Sequence, residues 1–123
     1  MSNFAEVMTT NPPRLVVQFQ RGRDGGEQFQ WGVVGAIPIL TLIGYIGRVQ
    51  ADLVVDAWIP ECDASPPSLV VAWDARDRTL SHYVHPDVPT DPLVGMLETI
   101  KQMLVDSRLA QYAAAQRTQI LGP

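Results

Sequence analysis

Cysteine is nearly missing from this chain of 123 residues: Cys62 stands alone, which excludes an intrachain disulfide and a cysteine-built zinc site. Charge is thin as well. Asp, Glu, Lys and Arg make up 18% of the residues, below the usual share of about 25%. The basic side chains are eight arginines and one lysine, never gathered beyond Arg21 to Arg23 or Arg76 to Arg78. The concentrated positive surface that neutralises phosphates is therefore lacking, and nucleic acid is not an expected partner. Acidic residues are equally dispersed, so DNA mimicry would need the fold to collect them.

A membrane-length apolar helix is also absent. The charge-free run from Phe29 to Gly47 is interrupted by Gln30, by Pro38 and by Gly32, Gly35, Gly44 and Gly47. A bilayer span wants about 20 mostly apolar residues in one helix. The run reads instead as the end of a strand followed by a buried helix entered through a turn, and no membrane role is expected. Met1 to Glu6 carries no basic segment leading into an apolar one, so no secretory signal is expected either, and the anticipated location is the cytoplasm, a host's included.

What is present is enough for a core. At 46% hydrophobic residues, a chain of this size can bury roughly two-thirds of its unfolded surface without crosslinks. The expectation is an N-terminal arm over residues 1–13, closed by the extended Asn11-Pro12-Pro13, and a single α+β domain over 14–123.

Arg14 to Gln20 alternates, with Leu15, Val17 and Phe19 on one face and Val16, Gln18 and Gln20 on the other. After Arg21 to Gly26, a turn with Asp24, Gly25 and Gly26 able to take positive φ, the alternation resumes in Phe29, Trp31 and Val33 against Gln28 and Gln30, giving a hairpin. Pro38 suits a first helical turn. Ile39, Leu42, Ile43, Ile46, Val49, Leu53 and Ala57 continue a helix over about 38–57, with Leu40, Tyr45 and Val54 predicting cover on more than one face. A second hairpin follows in Ser68 to Trp73 and Thr79 to Val84. Thr90 or Asp91 caps a last helix whose stripe is Leu93, Met96, Leu97, Ile100, Met103 and Leu104; past Ser107 it bends or continues, more exposed, to about Arg117. The order ββαββα predicts an antiparallel sheet from two β-hairpins with both helices packed on one face.

Few motifs carry chemistry. His82, His85 and Asp87 offer two imidazoles and a carboxylate to a divalent ion, but strand alternation sends His82 and His85 to opposite faces unless the strand has ended by Val84. With Glu61 or Asp63 folded against them they form the alternative reading, a metal-dependent or acid/base hydrolytic enzyme. Cys62 lies between Glu61 and Asp63, whose charges raise its pKa and dull it as a nucleophile. Ser65, Ser68 and Ser81 lack a nucleophile-elbow context, and the Gly22, Gly25, Gly26 loop opens into a strand, so no helix N-terminus faces an anion there. Gly44, Gly47 and Ala51 line one side of the first helix, where a second backbone could approach closely. Trp31, Tyr45 and Trp73 suggest a third reading, a small-molecule pocket between sheet and helices.

No catalytic group rises above its plain structural explanation, and no cofactor is expected. The reading favoured here is a non-enzymatic interaction or assembly protein, a phage or mobile-element accessory protein fitting as well as a bacterial one. Its expected partner is a protein or a second copy of itself. The candidate contact residues are Trp58, at a chain reversal, Gln18, Gln20, Gln28 and Gln30 on the amide-rich face of the first hairpin, and Tyr112 on the late helix.

Overall fold

The computed structural model describes residues 12–23 and 25–121; most of the expected arm, and Asp24 of the first turn, lie outside them. Its elements are β1 (Arg14–Arg21), β2 (Glu27–Val34), α1 (Ile39–Val54), β3 (Ser68–Asp74), β4 (Thr79–Val84) and α2 (Thr90–Leu121). The strands form one antiparallel sheet in the order β2-β1-β3-β4. The two hairpins meet at their first strands, with Val16 opposite Val70, so each ββα unit contributes one edge strand and the α+β order expected from the sequence holds.

Alternation decides the layers. Leu15, Val17 and Phe19 of β1 and Leu69, Val71 and Trp73 of β3 join one buried cluster with Leu42, Ile46, Val49 and Leu53 of α1 and Leu93, Leu97, Ile100 and Leu104 of α2. Phe29, Trp31 and Val33 of β2 and Leu80 and Val84 of β4 pack at its margin, half-buried. Trp73 is therefore interior while Trp31 is only partly covered. A polar clasp crosses between the helices, where Gln50 Nε2 donates to Glu98 Oε2 (2.9 Å) and Lys101 Nζ donates to Gln50 Oε1 (3.3 Å).

The turns follow local chemistry. Gly25 takes a φ of 81° between β1 and β2, and Gly22 N–H donates to Gly26 O. Between β3 and β4, Asp74 Oδ1 accepts from the N–H groups of Arg76 and Asp77, and Arg78 is left-handed, a side-chain-closed turn of the Asx type. Gly35, with a φ of 79°, is required twice over: a Cβ there would stand 2.9 Å from Pro13 Cβ.

Two helix ends and the cover of α1 differ from the sequence reading. The helix expected over about 38–57 runs only through Val54, because Asp56 turns left-handed and the chain closes a Schellman motif, with Ala57 N–H donating to Asp52 O and Asp56 N–H to Leu53 O. Trp58 thus sits in the turn after the helix instead of ending it. Leu40 and Val54 are exposed, so α1 is covered along one face and flanked by half-buried Tyr45. Of the two courses expected past Ser107, the last helix takes the exposed continuation, as one helix that runs to Leu121 and so four residues beyond Arg117. Its covered stripe ends at Leu104, and Met103 is half exposed.

Candidate interaction surface

The largest aromatic side chain left in water is that of Trp58, 84% exposed, and beside it in the chain stand Val54 and Val55, exposed at 70% and 71%. The Schellman closure puts them there. By reversing the chain at Asp56 it turns the last residues of α1 and the following segment away from the sheet. An open cleft of about 380 Å³ lies alongside, floored by Leu53, Ile59, Val84 and Pro86 and carrying Asp56 and Glu61 at exposed positions. The surface is apolar at its middle and acidic at its edge.

A second exposed set lies on α2. Leu109 and Tyr112 are exposed at 60% and 63%, because every described residue from Asp106 to Ala115 stands clear of the core. The amide-rich face of the first hairpin is open only in part: Gln20, Gln28 and Gln30 are exposed, Gln18 is half-buried, and Arg14, Val16 and Val70 at the centre of that face are buried. Gly32 leaves a shallow dip there, lined by Val16, Gln18 and Gln30.

The histidines are not brought together. His82 shares the parity of Leu80 and Val84, so it points under α1, where its ring lies edge-on to Tyr45 and its Nδ1 is 2.7 Å from Tyr45 Oη. Its Nε2 is 3.4 Å from Asp52 Oδ2. The hydrogen bond is the one between Nδ1 and Tyr45 Oη, its donor set by the ring tautomer, while buried Nε2 faces the Asp52 carboxylate without a hydrogen-bond partner among the described residues. Burial lowers the His82 pKa against the opposing pull of the Asp52 carboxylate, and burial raises that of Tyr45. A neutral histidine and a protonated tyrosine are held in place, clasping α1 to β4; neither is activated by its partner.

His85 sits in the turn after β4. Its Nδ1 accepts from Asp87 N–H at 3.0 Å, with Asp87 Oδ2 at 3.9 Å. Among the described residues no group of three or more His, Cys, Asp or Glu is placed to hold a metal ion. Cys62 is half-buried with its thiol directed at Ser68 O (3.3 Å), and burial first, then Asp63, raises its pKa. Of the tryptophan and tyrosine trio read as a pocket, Trp31 lines the dip over Gly32, Trp73 lines a separate cleft with Pro13, Asp74 and Tyr83, and Tyr45 lines neither.

Nor do Gly44 and Gly47 receive a neighbouring backbone: a Cβ on either would meet nothing within 4 Å, so the close approach suggested by their spacing is not made among the described residues. The Tyr45, His82, Asp52 clasp is the arrangement that sequence reasoning missed. Its members are far apart in sequence and follow no motif. The available signal was the parity of His82 with two apolar neighbours. Among the described residues no helix is long and apolar enough to cross a membrane. Comparison with protein-family models, with curated proteins and with solved structures gives no match.

Proposed function

We infer that this chain is a non-enzymatic interaction or assembly protein that grips a protein partner through apolar and amide-rich surface, a role that also suits a phage or mobile-element accessory protein. The observation that carries the reading is Trp58. Burying a side chain of this size stabilises by roughly 1.5–3 kcal/mol, yet Trp58 is left 84% exposed beside exposed Val54 and Val55. A tryptophan so placed is the usual anchor of an interface hot spot. Asp56 and Glu61 at the edge of the adjoining cleft favour a partner with an apolar centre and basic flanks.

The test is recovery of the partner from the cell of origin by tagged protein. Trp58→Ser is expected to keep the circular dichroism spectrum and melting temperature of the parent, since the ring supports nothing in the core, and to lose the partner. Recovery of the same partner in the same amount by the variant would remove the reading.

A further inference from the structure

The two edges of the sheet are not alike. Backbone groups alternate along an antiparallel strand, so residues of one parity bond to one neighbour and the rest face the other way. Phe19 N–H donates to Pro67 O and Trp73 N–H to Pro13 O, on the β1–β3 side, whereas Gly22 N–H donates to Gly26 O. Odd-numbered residues of β1 therefore serve β3, and even-numbered residues serve β2. It follows that Glu27, Phe29, Trp31 and Val33 of β2 aim their N–H and C=O groups outward, where no strand among the described residues pairs with them.

On the opposite edge, β4 is shorter, and both outward groups of Val84 are taken by the loop before β3: Val84 N–H donates to Pro60 O, and Cys62 N–H to Val84 O. Natural edges are blunted by charge, proline, bulges, brevity or cover. Among the described residues β2 has almost none of these. It pairs with β1 without a bulge over its whole length, contains no proline, and has a single charge, Glu27, at its end.

We propose that two copies of this chain join edge to edge through antiparallel pairing of β2 with β2, making one continuous eight-stranded sheet. Outward groups meet when the twofold axis passes at Gln30 or at Trp31. In the first register Phe29 faces Trp31 of the second copy; in the second, Trp31 faces Trp31. Glu27 meets Val33 or Gly35, so neither register sets like charges opposite each other. The rotation keeps the faces, so the half-buried Phe29, Trp31 and Val33 of both copies cover one another on the helix side, and the exposed Gln28 and Gln30 run on as one amide-rich face. A second copy is the occupant because β2 itself supplies the matching edge: same length, same parity, no opposing charge.

This deepens the interaction reading, and the two fail separately, since Trp58→Ser leaves the dimer intact. The experiment is sedimentation equilibrium of the full chain together with amide exchange. Expected are a mass of twice 13.6 kDa, slow exchange at Phe29, Trp31 and Val33 that depends on protein concentration, and at least a tenfold weaker dimer for Gln28→Lys/Gln30→Lys, whose lysines crowd across the axis. Gln20→Lys, on β1 and away from the edge, keeps the dimer. A wild-type mass of one chain, fast exchange at those three amides, or a dimer as strong in the double variant each overturns the proposal.

Discussion

His82 is where burial and charge compete at a single side chain. Its ring is only 10% exposed, under α1, with Tyr45 at Nδ1 and Asp52 near Nε2. Burial lowers its pKa, Asp52 pulls it back up, and Arg48 adds to the lowering. An unfolded chain takes up a proton at His82 as pH falls through the ordinary value of about 6.5, while the folded chain resists until lower pH. The stability associated with the neutral ring is thus complete above that value and lost progressively below it. Thermal melts between about pH 8 and about pH 5 should show wild type losing stability more steeply below pH 6.5 than His82→Gln, which has no proton to take up. Parallel pH profiles would mean that the ring titrates normally. The parity that places His82 against the helix was legible in Leu80, His82 and Val84. The identity of its partners was not, because a contact between α1 and β4 depends on how the helix lies across the sheet.

At the scale of elements, α2 divides into a part that holds the molecule together and a part that does not. Leu93, Leu97, Ile100 and Leu104 are buried, whereas Leu109 and Tyr112 stand in water on the same continuous helix. Leu97→Ala should therefore cost about 2–5 kcal/mol in urea denaturation, the range for a core leucine, and Leu109→Ala should stay within about 0.5 kcal/mol of wild type. Equal costs would place Leu109 in the core and overturn the division. The strands and both hairpins were legible because period-2 alternation and glycine turns are local signals. The end of α1 was not: its C′ position is Asp56 and not glycine, so the sequence carries no ordinary stop signal there and the apolar Ala57 continues the helical stripe. Strand order was equally hidden, since the pairing of β1 with β3 joins segments separated by α1 and a long connection.

At the scale of the whole molecule the three tryptophans report on three environments. Trp73 is buried beneath the helices, Trp31 is half-buried at the β2 edge, and Trp58 is in water. Acrylamide should quench wild-type emission in at least two components, and Trp58→Phe should remove the readily quenched, red-shifted one. Concentrating the protein should shift and shield the Trp31 component while leaving Trp58 accessible, because edge pairing through β2 covers one and not the other. A partner that docks at the end of α1 should do the reverse. If concentration alone shields Trp58, the self-association surface is the apolar end of α1, and the same measurement that rejects β2 as the seam identifies its replacement.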